Sequence, residues 1–591
     1  MNRVVVALGA ACLSTGLVAT GAVAAARDPG GSGCVPSENT KRVIVRASDL
    51  GAAERAVAAV GGEVVAVQRG LGTLVADGTC PAALRGAPGV LAATVDASVE
   101  PLSLGTDAAA QPGSMDKVID TIKARDLWKK GITGKGVGIA LIDTGVAPVP
   151  SLVADTKVTL GPDLSIESQL TELLHLDTYG HGTHMAGIMA GREGPEATGA
   201  EYAADTANFH GVAPDAQVLS LKVANHAGAT DVSQVIAAID WVVQYRYSTG
   251  MNIRVINLSY GTASQQDPLF DPLAYAAEIA MQRGLVVVTA AGNNAASETG
   301  LIDPAYHPNV IAVGATDMKG TADVTDDTLA DFSARAGGNA APTRGPDIVA
   351  PGTSIVSLRV PGSTVAVAHS SAAVGEWGIK GSGTSQAAAV VSGAVALMLQ
   401  RRPAMLPPQV KELLTKTAKP LTDQTPATQG SGVIDLAAAA SAPYPNYPAQ
   451  VQGKGTGTIE AARAGIHLVA DGVELTGEKD LLGGTWDPVW MSSFTQGEIT
   501  WGESGSTWNS KLWTGSGWMG EDDSEWDARK WYARKWKASL WAGATWSGGP
   551  WTDASWTTKQ WTETGWSAGG WSSDVQLNGL ASSIWATSHW G

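Results

Sequence analysis

An α/β fold built on a doubly wound, mostly parallel sheet is predicted for residues 116–440, and three observations predict it. Five short runs, GVGIALID, AQVLSLKV, IRVINLS, GLVVVTAAG and NVIAVGA, are apolar throughout, as strands covered on both faces must be. Helical stretches separate them. In the clearest, Asp231 to Tyr245, the residues Val232, Val235, Ile236, Ile239 and Val243 fall on one face, and Thr230 or Asp231 can cap the start. Strands and helices that alternate in this way pair in parallel, and ligands then bind at the carboxyl ends of the strands.

The rest of the chain is organised around that unit. Its 591 residues exceed what one core serves, and 44% hydrophobic against 16% charged residues excludes a disordered or collagen-like polymer. A net charge of −16 excludes nucleic acid as a general partner. Residues 1–26 read as a signal peptide: one charge at Arg3, an apolar run from Val4 to Val23, then Ala24 to Ala26 for cleavage. No further uninterrupted apolar run is long enough to span a bilayer, so the mature protein is expected to be secreted, extracellular or associated with the cell envelope. Of the three cysteines, Cys12 leaves with the signal. Cys34 and Cys80 remain and are expected to form a disulfide in an oxidising compartment. No thiol nucleophile exists beyond Cys80.

Residues 41–103 read as a small α+β domain, and 104–115, within the stretch LGTDAAAQPGSMD, as a linker and processing region. Residues 441–484 read as a Pro/Gly-rich linker followed by a small strand-rich patch. A foreign composition then begins: 18 of the 21 Trp lie between Trp486 and Trp590.

Four residues carry the chemistry. Asp143 closes the strand GVGIALID, delivering a carboxylate at a buried strand's end. His181 opens the helix of YGHGTHMAG; with His184 it makes two histidines, but no third ligand follows at zinc spacing, so no metal site is expected. Ser385 stands at the start of GTSQAAAVVSGAVALML, a helix of small and apolar residues that must be buried on every side. The unpaired N–H groups and positive dipole end of that helix favour an anionic oxygen beside the serine. Asn293 ends LVVVTAAGN and can supply a second donor to that oxygen.

In this order and setting, IDTGV, HGTHMAG and GTSQAAA resemble the three catalytic motifs of the subtilisin-like serine proteases, the subtilases. AAGN resembles their oxyanion motif, NLSYG their substrate-binding strand, and GVAPDAQVLSLKV, VIAVGAT, VAPG and SGVIDLAAA further landmarks. The resemblance implies a serine-type endopeptidase with Ser385 as nucleophile, His181 as general base and acid, Asp143 as its orienter and Asn293 in the oxyanion hole. His184 matches a structural position. Ser259, Tyr260 and Gly261 would pair with polypeptide substrates as an added strand.

The same resemblance implies that 41–103 is an inhibitory propeptide and folding chaperone, cut by the enzyme itself between about Glu100 and Ser114. It implies no required cofactor. Calcium enters only as a structural ion, with the acid-rich loop Asp323 to Asp331 as one place for it. Two positions depart from the family: Gln386 where Met is common and Ala389 where Pro is common. Tyr260 is also bulkier than expected.

From Trp526 to Trp571 a Trp recurs at every fifth residue, ten in a row, after Trp508, Trp513 and Trp518. A period of five walks the rings around a helix and alternates them in a strand, so neither element alone hides them on one side. Ten rings amount to about 2,000 Å², far above the apolar patch a monomer exposes. The expected covers are the protease domain, another copy, or a cell-envelope polysaccharide stacked on the rings. A second reading of the whole chain therefore makes the tail the working part of a surface-binding scaffold.

Overall fold

The computed structural model describes residues 43–69, 72–95, 111–152, 157–169, 173–247, 250–294, 300–337, 344–470, 473–479 and 486, with five strands of two or three residues between 507 and 536. The signal segment 1–26 and Cys34 lie outside the described residues. The chain divides into two compact units, Met1–Pro101 and Leu102–Gly591.

In the first unit, strands β1 (Val43–Ala47), β2 (Glu63–Gln68), β3 (Thr73–Asp77) and β4 (Val90–Val95) form an antiparallel sheet in the order β2-β3-β1-β4. Helix α1 (Leu50–Ala59) lies between β1 and β2, and α2 (Pro81–Leu84) between β3 and β4. Period-2 patterning builds the core: Val43 and Val45, then Leu74 and Ala76, are buried with Ala53, Val57 and Leu84. Asp49 caps α1, accepting from the Ala52 N–H at 2.9 Å. Val65 and Leu91 are left 46% and 61% exposed. Cys80 is disulfide-bonded.

The second unit opens with α3 (Met115–Thr121) and α4 (Ala124–Trp128), then β5 (Gly138–Asp143) and β6 (Val158–Asp163). Next come α5 (His181–Ala190), α6 (Gly199–Ala204), β7 (Gln217–Lys222), α7 (Val232–Tyr245), β8 (Ile253–Leu258), α8 (Pro272–Gln282) and β9 (Val286–Ala290). They are followed by β10 (Ile311–Asp317), β11 (Thr328–Leu329) and β12 (Ile348–Pro351). The sheet runs β11-β10-β9-β8-β5-β7-β6, with β12 also on β10. Only the β10–β11 pair is antiparallel. This is the expected doubly wound, mostly parallel sheet, and strand order reverses about β5.

Each apolar run feeds two cores because successive side chains point to opposite faces. Ile139 and Leu141 of β5 enter one core, Ala140 and Ile142 the other. The first core lies under α5 and the second under α7 and α8. A small sheet of β13 (Ile355–Leu358), β14 (Ala373–Val374) and β15 (Gly378–Gly381), with the short helix α9 (Thr364–Ala368) between β13 and β14, leads into α10 (Thr384–Arg401). As its small residues predict, α10 is buried from Thr384 to Leu399. It packs against α5, β8, β9 and β10. Helices α11 (Pro407–Thr417), α12 (Pro426–Gln429), α13 (Leu436–Ser441) and α14 (Ile459–Arg463) complete the unit.

Two expected boundaries move. Residues 111–115 are not linker: Gln111, Gly113, Ser114 and Met115 are buried, and the Val356 N–H donates to the Gly113 carbonyl at 2.9 Å. A side chain at Gly113 would collide with the Ser354 carbonyl, so its glycine serves close packing, not freedom. The stretch 441–458, read as a Pro/Gly-rich linker, is fastened at several points, among them the Pro445 carbonyl to Gln409 of α11 and the Gly453 N–H to Glu278 of α8. The expected strand-rich patch contains a two-stranded antiparallel pair, Val469–Ala470 with Val473–Glu474. Gly455 passes over the Tyr275 ring where any side chain would clash. In the Trp-rich segment, Lys511–Trp513 pairs antiparallel with Thr507–Trp508 and with Trp518–Met519, and Trp526–Asp527 pairs with Lys535–Trp536. The spacing of five sets Trp513 opposite Trp518, and Trp526 faces Trp536.

Candidate active site

The candidate residues gather where the fold rule directs, at carboxyl ends of strands and amino ends of helices. Asp143 is the last residue of β5, the strand at which sheet order reverses, and is fully buried. Its Oδ1 and Oδ2 lie 2.8 and 3.0 Å from His181 Nδ1, and its Oδ1 also accepts from the Thr144 N–H at 2.7 Å. A carboxylate can only accept from the ring, so Nδ1 carries the hydrogen and Nε2 is left to face chemistry.

The start of α5 is held by Asp177, a residue that sequence reasoning missed. Its buried carboxylate accepts from the N–H groups of Gly180 (2.7 Å) and Thr183 (2.8 Å) and from the hydroxyls of Thr144 (2.8 Å) and Thr183 (2.6 Å). Burial raises its pKa, and these four donors oppose the rise. Thr144, next to Asp143, in turn accepts from the Gly182 N–H at 2.9 Å. A Cβ on Gly182 would strike the Gly145 carbonyl, so the strand end and helix start touch only because Gly182 has no side chain.

Lys222, at the end of β7, was also missed. Its fully buried ammonium donates to the carbonyls of Thr144 (3.0 Å) and Leu176 (2.7 Å) and pairs with Glu167 at 2.9 Å. Burial disfavours ionised Glu167, but Lys222 and His226 hold it at about 2. One cation thus ties the segment after Asp143 to the segment before His181.

Asp177→Asn leaves a single acceptor lone-pair set for four donors. We expect kcat to fall by up to about 10²-fold, the scale of a 1 Å misplacement, with KM little changed. Steady-state kinetics on a peptide substrate measures it.

Ser385 is the second residue of α10 and is fully buried; its N–H lies in the turn that has no intrahelical acceptor. Its Oγ donates to the Ser259 carbonyl at 3.4 Å, and Ser259 Oγ donates to the Ser385 carbonyl at 3.4 Å. The helix start and the end of the β8 segment are therefore in contact. Asn293 completes the group. Its Oδ1 accepts from the Thr384 N–H and hydroxyl, both at 2.9 Å. A backbone N–H can only donate, so this contact fixes which end of the amide is oxygen. The Nδ2 atom is buried with no acceptor among the described residues. A donor in that condition costs stability unless a partner arrives.

Tyr260 is 1% exposed and belongs to the core under α7 and α8. His184 is also buried, and burial together with His181 lowers its pKa, keeping it neutral. No group of three His, Cys, Asp or Glu that could hold a metal ion occurs among the described residues. In the loop Asp323 to Asp331, Asp326 accepts from the Thr321 hydroxyl and Asp323 from the Thr325 N–H; burial and nearby Asp326, Asp317 and Asp323 push Asp327 to about 7.

Gln386, beside Ser385, is fully buried and its amide has no partner among the described residues. It lacks the thioether that peroxide converts to sulfoxide. Wild type should therefore outlast a Gln386→Met variant in hydrogen peroxide; matching inactivation rates would refute this.

A mostly parallel sheet with a buried Asp–His pair at a strand end, a serine at a helix start and a buried amide donor fits a serine-type endopeptidase. Comparison with known proteins gives the same class. Residues 134–432 match the Subtilase family, and the chain belongs to that family. Serine protease AprX of Bacillus subtilis (strain 168) is 33% identical over 326 residues, covering 54% of this chain and 70% of that protein. Subtilisin Savinase of Lederbergia lenta is 31% identical over 321 residues, 54% of this chain and 97% of that protein. Minor extracellular protease Epr of Bacillus subtilis (strain 168) is 30% identical over 321 residues, 53% of this chain and 40% of that protein. The chain is thus a hydrolase that acts on polypeptides. No described helix is long and apolar enough to cross a membrane.

Proposed function

We propose that the protein is a secreted endopeptidase made as a self-processing precursor, with Ser385, His181 and Asp143 as its triad. As Ser385 Oγ attacks the scissile carbonyl carbon, its proton passes to His181 Nε2. The carbonyl oxygen becomes an anion held by the Ser385 N–H and Asn293 Nδ2. His181 then gives the proton to the departing amine as the C–N bond breaks, leaving an acyl-enzyme that water cleaves by the same route. Asp143 keeps Nδ1–H in place and stabilises the imidazolium. The backbone of Ser259, Tyr260 and Gly261 pairs with the substrate strand.

The observation that carries this reading is the buried, two-oxygen contact between Asp143 and His181 Nδ1. It orients the imidazole before any substrate arrives.

The unit 41–103 acts in this reading as inhibitor and folding chaperone, stapled by Cys34–Cys80. Val65 and Leu91, exposed on a unit of marginal size, support a role that requires docking. The packing of Gln111, Gly113 and Ser114 supports a cut before Gln111 within the window from about Glu100 to Ser114. The Trp-rich segment binds envelope polysaccharide through its ring faces. The test is treatment of the secreted product with a serine-reactive phosphonate, followed by mass mapping of both termini. A label on Ser385, lost casein hydrolysis and a new N-terminus between Glu100 and Gln111 are expected; hydrolysis that persists with Ser385 labelled would overturn the assignment.

A further inference from the structure

The segments that carry Ser385 and His181 are joined by the small sheet of β13, β14 and β15. On the serine side, β15 pairs antiparallel with β13, from Gly378 opposite Leu358 to Gly381 opposite Ile355, and the chain runs from Gly381 straight to the start of α10. That passage is pinned twice. The Ser354 N–H donates to Ser382 Oγ at 2.8 Å, and the Gly383 N–H to the Gly352 carbonyl at 2.8 Å. On the histidine side, the Ser357 hydroxyl of β13 donates to the His184 carbonyl at 2.8 Å, one turn into α5. Gly187 faces the same strand, where any Cβ would strike Ser357 and Leu358. The sheet is therefore held against both helices.

Its connection reaches further, to the residues that enter α5. After β13 the chain turns at Ser363, which caps α9 by accepting from the Ala366 N–H at 3.3 Å. The next two N–H groups have no acceptor within the helix, as at any helix start. They donate instead to consecutive carbonyls, Thr364 to Thr178 at 3.1 Å and Val365 to Tyr179 at 3.0 Å. The Thr364 hydroxyl adds a bond to the His226 carbonyl at 2.5 Å. Gly180, the residue before His181, presses on Ser363 so closely that a side chain there would strike its hydroxyl. Asp177 holds the N–H of Gly180 at 2.7 Å, and the start of α9 holds the carbonyls of the two residues between. The turn into His181 is thus gripped at its N–H and its C=O groups alike.

We propose that Thr364 and Ser357 are positioning residues: the small sheet and α9 form a bracket that sets how closely His181 Nε2 approaches Ser385 Oγ. This rests on the reading of those two residues as base and nucleophile. Asp143 fixes the rotation of the imidazole, and the bracket fixes where the start of α5 stands relative to the start of α10. Proton transfer needs the two heavy atoms within hydrogen-bond reach, and a misplacement of about 1 Å can cost about 10²-fold. The backbone of Ser259 to Gly261, which would pair with substrate, takes no part in these contacts. Loosening the bracket therefore acts on kcat and leaves KM nearly constant.

The experiment uses the full-length protein and a substitution that removes one donor without breaking the helix. Thr364 is exposed and stands first in α9, and Ser363 before it has φ −67° and ψ 158°, the extended form that a residue preceding proline adopts. Thr364→Pro therefore fits the backbone but deletes the N–H that holds Thr178. On a peptide substrate its kcat is expected to fall about tenfold, with KM within about twofold of wild type. The rate at which a serine-reactive phosphonate labels Ser385 falls by the same factor. Thr364→Ala, which keeps the N–H and gives up only the hydroxyl, recovers most of the loss. If Thr364→Pro does not fold, Ser357→Ala serves, and its kcat should fall about threefold with KM held. An unchanged kcat, a rise in KM in its place, or an equal fall in Thr364→Ala overturns the inference. His181→Ala separates the two layers: if it keeps wild-type activity, the triad reading fails; if it is inactive while the bracket variants match wild type, only the bracket fails.

Discussion

Replacing Ser385 by alanine is expected to lower kcat by about 10⁶-fold, the scale found when a triad serine or histidine is removed from such a protease. Nothing at the helix start can substitute for the missing oxygen: the flanking residues are Thr384, bonded to Asn293, and Gln386, an amide. The residual rate over water, about 10³ to 10⁴, would come from the oxyanion donors and from binding. The variant should also accumulate with residues 41–103 still attached when expressed away from other proteases. Steady-state kinetics on a peptide substrate checks the first part and intact-mass measurement the second, and normal processing of that variant unaided would disprove self-cleavage.

Asn293→Ala should lower kcat by about 10² to 10³-fold, or about 3 to 4 kcal/mol, while KM stays nearly constant. The split follows from when the partner appears. Nδ2 is held by the two Thr384 bonds at the other end of the amide, so it waits, unpaired, for an oxygen that becomes strongly negative only in the transition state. Asn293→Asp keeps the shape and the grip on Thr384 but turns the waiting atom into an acceptor. It should be at least as damaging as alanine. A proportional rise in KM with kcat intact would instead mean that Asn293 only helps bind the ground state.

The strands, and the strand-end and helix-start positions of Asp143, His181, Ser385 and Asn293, were legible in the sequence because each is encoded locally. A strand buried on both faces must be apolar throughout, and a residue placed at the seam of strand and helix is flanked by glycines, as around Asp143 and His181. Asp177 and Lys222 were not legible. Their partners, among them Gly180, Thr183 and the carbonyls of Thr144 and Leu176, are fixed by how the loops stack, and Asp177 reads locally as a turn residue. The stretch 441–458 was read as a linker for a related reason. Glycines such as Gly453 and Gly455 have the same composition in a loose linker as in a backbone pressed against Glu278 and Tyr275, and only the partner tells them apart. Tyr260 was read as bulky; that it is buried in one core with residues of α7 and α8 depends on elements outside its own segment, beyond any local pattern.

The burial of Ile459, Leu468, Leu475 and Trp486 in the core under α7 and α8 bears on how such a chain ages among its own kind. A protease must draw a stretch of target into extended form before cutting, and each of these side chains resists by about 1.5 to 3 kcal/mol. Cuts at these four positions should therefore be slow, and fragments that keep them joined to α7 and α8 should outlive the others when the protein digests itself.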